Sequence, residues 1–151
     1  MAGLVVLSGV SGGVARPWHR ASTTDDKREM VFRLLGEPEG HVLFYAWDRP
    51  AGAPHDGYPA HQLKVVYRAG YGAAHFTNND PGGGPVGAWL AHTASPPTAV
   101  PAPTYDPWDP TRVSIPADAL LTIDALGAVA IEYAETGQRP ARVDWTPVGF
   151  V

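Results

Sequence analysis

The stretch "EYAETGQRPARVDW", residues 132–145, contains the end of one secondary-structure element and the start of the next. Gly137 is the residue type that most often ends a helix, because a left-handed backbone costs glycine no steric energy. Pro140 then prevents the helix from resuming, since proline has no N–H to donate. Val143 and Trp145 alternate onto one face after it, which predicts a strand. The chain therefore closes with a helix followed directly by a strand.

The helix that ends at Gly137 is predicted to begin near Pro116. Proline is favourable in a first helical turn, and Asp118 suits the positive end of the helix dipole. Apolar residues recur along this segment at steps of three and four, which gives one stripe that can face a core. The stripe consists of Ala119, Ile123, Leu126, Ala130 and Tyr133.

The earlier part of the chain predicts a second helix among strands. Residues 4–10 predict a strand, and Ser22 and Thr23 offer caps for a helix that Gly36 ends. Four strands follow in succession, at 41–48, at 61–70, up to about Asn79, and at 86–93.

The order of elements, β-α-β-β-β-β-α-β, indicates an α+β fold. We expect a mostly antiparallel sheet of about five to six strands, with two helices packed against it. Consecutive strands favour a meander. In the strand over 61–70, the alternation predicts that Leu63, Val65 and Tyr67 face inward while Lys64 and Arg68 face water. At 151 residues, the chain is expected to form one domain over 1–151.

A proline-rich segment interrupts the pattern at about 92–112. It contains six prolines, which remove backbone donors and fix φ, so we expect a surface loop and not part of a sheet. Such a loop can be an inert connection. Tyr105 and Trp108 favour a binding role, since large aromatic side chains are enriched at interface hot spots.

The charge is unevenly distributed along the chain. Residues 1–104 carry eight acidic residues and eight lysines or arginines, so the formal net charge of −4 lies entirely in residues 105–151. An acidic C-terminal third disfavours nucleic acid as a partner and favours a basic protein. A mildly acidic surface that serves only solubility is the alternative.

Composition excludes several classes of protein. The chain contains no cysteine, so it has neither disulfides nor thiolate metal sites. No apolar run approaches the roughly 20 residues of a membrane span, and no basic region precedes the apolar N-terminus as in a secretory signal. We therefore expect a cytoplasmic protein without a membrane partner.

The search for catalytic residues finds no established arrangement. His55, Asp56 and His61 could together bind zinc, but their spacing does not match a ligand pair borne on a helix or strand. The serines of "LSGVSGG" do not form a nucleophile elbow, and "DPGGGP" lacks the residues of a phosphate-binding loop. The sequence therefore predicts no catalytic residue, no metal, no cofactor and no enzymatic activity.

The end of the chain resembles a known family. The pattern consists of Ile/Val-Pro at a helix start, an alanine-rich helix with an aromatic residue near its end, Thr-Gly-x-x-Pro, and a strand carrying tryptophan. It is carried here by Ile115-Pro116, Tyr133, Thr136-Gly137, Pro140 and Trp145. It resembles the first-named family of immunity proteins from bacterial polymorphic toxin systems, often encoded beside nucleic-acid deaminase toxins. The resemblance covers about the last 40 residues and, more loosely, residues 41–93.

The resemblance implies a protein that binds and neutralises a cognate toxin domain by occluding its active site or substrate channel. The toxin is expected to be basic and nucleic-acid-modifying, with a deaminase as the leading candidate. Expected exposure selects the partner-binding residues: Tyr105, Asp106, Trp108, Asp109, Asp118, Glu132 and Glu135. Two alternatives stay open, namely a small-molecule- or metal-binding domain or enzyme that uses the His55/Asp56/His61 loop, and an unrelated protein-interaction module.

Overall fold

The described part of the chain forms an eight-stranded antiparallel sheet with two helices packed against one face. The computed structural model describes residues 6–11, 19–47, 60–79, 81, 84–94 and 115–148. The strands are β1 (Val6–Ser11), β2 (His19–Ala21), β3 (Glu39–Trp47), β4 (His61–Arg68), β5 (Tyr71–Asn78), β6 (Gly87–His92), β7 (Leu121–Thr122) and β8 (Asp144–Val148). The helices are α1 (Thr24–Leu34) and α2 (Ile123–Thr136). Neither of these two helices is long and apolar enough to cross a membrane.

The strands lie in the order β2-β1-β3-β4-β5-β6-β8, and β7 pairs with the start of β5. Strands β3 to β6 are consecutive in the chain and adjacent in the sheet, so the predicted meander is confirmed. The α+β class and the order of six longer strands and two helices are also confirmed. The short strands β2 and β7 are additions that no sequence pattern predicted.

Two of the predicted helix-boundary signals are confirmed by the backbone. The Thr23 hydroxyl accepts a hydrogen bond from the Asp26 N–H at 3.1 Å, which caps α1. Gly137 ends α2 in the left-handed region with φ of 68°, and its N–H donates to the Tyr133 carbonyl at 2.8 Å. Local residue chemistry therefore sets these two ends.

The predicted start of the second helix near Pro116 is wrong. Residues 117–119 form a single 3-10 turn, β7 follows, and α2 begins only at Ile123. The Thr122 hydroxyl caps the helix by accepting from the Ala125 N–H at 3.2 Å. The Ile123 N–H donates to the Gly70 carbonyl at 2.8 Å. The backbone before α2 thus pairs with the β4–β5 hairpin instead of forming a helical turn.

The core lies between the helices and the covered face of the sheet. Leu126, Ala130 and Tyr133 of the predicted stripe are fully buried, as is Val129 beside them, whereas Ile123 is partly buried. The sheet and α1 contribute further side chains to the same cluster: Met30, Val31, Leu34, Val42, Phe44, Leu63, Val65, Ala74 and Phe76. Burial of each larger apolar side chain stabilises the fold by about 1.5–3 kcal/mol.

The prediction that Lys64 faces water is wrong, although Arg68 is exposed as predicted. Only 8% of Lys64 is exposed, and Val66 is equally buried. In the sheet register, Lys64 lies between Leu43 of β3 and His75 of β5. Because β4 is a central strand, neighbouring strands shield its side chains from both sides, which the alternation of residue types does not reveal.

Two buried glycines, Gly72 of β5 and Gly127 of α2, allow a paired test of how closely neighbouring elements approach each other. A Cβ added at Gly72 would lie 2.0 Å from the Val66 carbonyl oxygen, whereas one at Gly127 would meet only the Phe32 ring edge at 3.6 Å. We expect Gly72→Ala to lower the free energy of unfolding by at least about 2 kcal/mol, because two backbones must separate. Gly127→Ala should raise it by about 0.5–1 kcal/mol through helix propensity. Urea unfolding of both variants measures this, and equal effects would contradict the described β4–β5 contact.

Candidate partner-binding surface

The Tyr133 hydroxyl joins α2 to two strands of the sheet. The Ala46 N–H of β3 donates to it at 3.1 Å, and the His61 Nδ1 lies 2.8 Å from it. The hydroxyl itself donates to the His61 carbonyl at 3.3 Å. With the proton on Nδ1, the oxygen accepts two hydrogen bonds and donates one, so its full capacity is used. Tyr133 therefore fixes the end of α2 over the end of β3 and the start of β4.

Burial raises the pKa of Tyr133 well above the ordinary value of 10.0, although the hydrogen bond from the Ala46 N–H opposes this shift. The pKa of Tyr67 is also raised, chiefly by burial and then by the negative charge of Glu37. The Tyr67 hydroxyl donates to the Leu34 carbonyl at 2.8 Å, which ties the end of α1 to β4. Both tyrosines thus stay neutral and hold the helices in place.

An aromatic cluster extends this anchoring to the last strand. The Phe76 ring lies 6.0 Å from the Tyr133 ring and 6.2 Å from the Trp145 ring, between centroids, both edge-on. The Trp145 indole N–H donates to the Pro140 carbonyl at 2.6 Å. The Arg139 guanidinium carbon lies 4.6 Å from the centroid of the Trp89 ring. The segment after α2 is therefore held against the core at several points.

Glu132 also holds the segment after α2 in place. Its carboxylate accepts hydrogen bonds from the Ala141 N–H and from the Arg142 Nε, the latter at 3.1 Å. The side chain is 24% exposed. The carboxylate therefore holds the loop that leads to β8.

Of the other predicted partner-binding residues, the two that the structure describes, Asp118 and Glu135, lie apart from each other. Asp118 is exposed beside the end of β6, where its carbonyl accepts from the Thr93 N–H at 2.7 Å. Glu135 is exposed in the last turn of α2. Since α2 has 14 residues and rises about 1.5 Å per residue, about 20 Å of helix separates the two positions. Four residues, namely Tyr105, Asp106, Trp108 and Asp109, lie outside the described residues.

The alternative histidine site is only partly described. His61 lies at the start of β4 and turns towards the core, where its ring contacts Tyr133 and stacks on Phe76. His55 and Asp56 lie outside the described residues. Within the described part of the chain, no group of three or more histidine or acidic side chains is placed to hold a metal ion.

Sequence reasoning missed Phe32, the most exposed large apolar side chain of the described residues. It is 59% exposed on α1. Its ring edge lies against Gly127 of α2, since a Cβ added there would be 3.6 Å away. The sequence contained a signal for this exposure, because Phe32 falls outside the apolar face that Met30, Val31 and Leu34 form on α1.

Comparison with known protein families gives one match that spans nearly the whole chain. The model of the family described as immunity protein Imm1 matches residues 15–147. The chain belongs to the Imm1 family of immunity proteins. The match extends beyond the C-terminal motif and includes α1 and the whole meander from β3 to β6. No curated protein matches the chain.

Four residues of the C-terminal motif have structural roles in this fold. Tyr133, Gly137, Pro140 and Trp145 end the helix, hold the loop after it and fill the core. These four residues therefore close the fold.

We expect Tyr133→Phe to lower the free energy of unfolding by about 1–3 kcal/mol, because the buried Ala46 N–H would lose its acceptor. Tyr45→Phe is the matched control, since the half-buried Tyr45 hydroxyl donates to Gln62 Oε1 at 2.8 Å near the surface. It should cost about 1 kcal/mol or less. Urea titrations of both variants give the comparison, and equal losses would show that the Tyr133 hydroxyl is not a special anchor.

The raised pKa of Tyr133 also predicts a loss of stability at alkaline pH. Above its ordinary pKa of 10.0, an unfolded tyrosine loses a proton that the folded protein retains. The unfolded state then binds fewer protons, so stability is complete below about pH 10 and falls as the pH rises further. Unfolding curves between pH 8 and about pH 11 should show a shallower decline in Tyr133→Phe than in the parent. An identical decline would exclude Tyr133 as the cause.

Proposed function

We propose that this protein is an immunity protein that binds a cognate toxin domain and neutralises it. The observation that carries the proposal is the match to the Imm1 family over residues 15–147. Membership supports an immunity function, and an immunity protein acts by binding the toxin that its own cell produces. The role requires no catalytic residue, which agrees with the sequence search.

Charge supports a nucleic-acid-modifying toxin, with a deaminase as the leading candidate. Among the described residues of the acidic C-terminal third, Asp118, Asp124, Glu135 and Asp144 are exposed. A toxin that binds nucleic acid needs a basic groove, because the phosphates are negative. Exposed carboxylates can occupy such a groove and accelerate association with it. Occlusion of the substrate channel would then block the toxin.

The proposed contact residues differ in their exposure and in their contacts within the protein. Glu135 and Asp118 are exposed and can meet a partner without breaking an internal contact. Glu132 is engaged by Ala141 and Arg142, so it is a weaker candidate for steering. The aromatic candidates Tyr105 and Trp108 stay predictions from sequence, as does the cytoplasmic location.

The direct test uses the purified protein and the toxin domain encoded beside its gene. We expect a stoichiometric complex by calorimetry and complete loss of toxin activity at equimolar protein. The toxin's activity on DNA and RNA bases, measured separately, distinguishes a deaminase from another enzyme. If two folded proteins show no complex at micromolar concentration, the proposed function is wrong.

The neighbouring acids of α2 provide a paired prediction. Glu135→Lys should slow association with the toxin and reduce its dependence on salt, because it reverses an exposed steering charge. It should leave the melting temperature nearly unchanged. Glu132→Gln should lower stability by about 1 kcal/mol or less, as expected for a partly exposed ion pair, and leave the association rate intact. Stopped-flow kinetics at several salt concentrations measure the association rates of both variants. Slower association of Glu132→Gln, with the rate of Glu135→Lys unchanged, would show that Glu132 is the contact instead.

A further inference from the structure

We propose that the toxin domain docks on the outer face of the two helices, with Phe32 as the central anchor. We call this surface the Phe32 face and define it by Phe32 of α1 and by Asp124, Gly127 and Ile131 of α2. The inference rests on the proposed function, because it names the surface through which the immunity protein would act. It differs from the sequence prediction, which placed the aromatic anchors in residues 92–112.

The first support is the position of the Phe32 ring. The side chain is 59% exposed, yet its edge lies against Gly127, where a Cβ would be only 3.6 Å away. Ile131 lies one turn after Gly127 on the same side of α2, and it is half-buried against the core. The ring therefore rests on α2 and offers its outer surface to a partner. An exposed aromatic side chain supported in this way has the character of an interface hot spot.

The second support is the charge on the exposed side chains of the two helices. Five carboxylates and two arginines are exposed on α1 and α2, apart from the paired Glu132. The carboxylates are those of Asp25, Asp26, Glu29, Asp124 and Glu135, and the arginines are Arg28 and Arg33. The exposed side chains of the two helices therefore carry three more carboxylates than arginines. A surface with this charge would repel a second copy of itself and attract a basic surface with an apolar recess.

The third support is that the face is already fixed before a partner arrives. The Tyr67 hydroxyl holds the end of α1, and the Tyr133 hydroxyl holds the end of α2. Both helices also bury their inner sides in one core cluster. A preformed surface loses little conformational freedom on binding, so its contacts contribute more fully to affinity.

The other exposed apolar side chains of the described residues are weaker anchors. Val86 is 50% exposed before β6, and Val148 is 37% exposed at the end of β8. Both are small aliphatic residues, which are under-represented among hot spots. Val86 is therefore a suitable control position, because it has comparable exposure and belongs to neither helix.

The test compares Phe32→Ser with Val86→Ser by measuring the Kd for the toxin domain encoded beside the gene. We expect Phe32→Ser to raise the Kd at least about 30-fold, as loss of a hot-spot side chain does, and Val86→Ser to change it less than about 3-fold. Both substitutions remove an exposed apolar group, so thermal melts should show two folded proteins. Asp124→Lys is a second variant on the same face and should slow association and weaken its salt dependence.

The outcomes separate this inference from the proposed function. If the parent binds and inhibits the toxin but Phe32→Ser and Asp124→Lys bind equally well, the Phe32 face is not the interface, while the immunity role stands. A larger effect of Asp118→Lys would then place the contact at the end of β6. If the parent does not bind the toxin, both proposals fail. If Phe32→Ser converts a dimer to a monomer on sizing chromatography without changing toxin binding, a second copy occupies the face and the inference is overturned.

Discussion

The buried hydroxyl of Tyr133 is the constraint on which the arrangement of helix and sheet depends. It meets the last turns of α2, the end of β3 and the start of β4 at one point, through Ala46 and His61. Because an unpaired polar group in the core would cost about 1–3 kcal/mol, these three elements must keep their relative positions. The stacking of Phe76 on His61, and its edge contacts with Tyr133 and Trp145, extend this constraint across the sheet to β8.

This constraint gives the residues of the C-terminal motif a structural role. Gly137 ends the helix directly after Tyr133, Pro140 supplies the carbonyl that Trp145 binds, and Glu132 holds the loop between them. Each of these residues is needed to build the end of the fold.

The sequence predicted the features that depend on adjacent residues, such as helix ends. Its predictions were wrong where the structure depends on a strand that is distant in the sequence. Thr23 and Gly137 could be assigned because helix ends depend on a few adjacent residues. The start of α2 could not, since the pairing of β7 with Tyr71 and Gly72 replaces the first turns of helix. Lys64 was misplaced because the shielding of a central strand depends on its neighbours in space. The contact of the Phe32 ring with Gly127 likewise depends on how α1 meets α2, which no residue pattern in α1 alone contains.

The most direct test of the account is hydrogen exchange of the protein alone and in complex with its toxin domain. The central claim is that a helix layer fixed by Tyr133 presents its outer face to the toxin. We expect peptides from α1 and from residues 124–131 of α2 to exchange more slowly in the complex, with little change in β8. Protection confined to residues 95–114 or to the end of β6, with α1 unchanged, would contradict the claim.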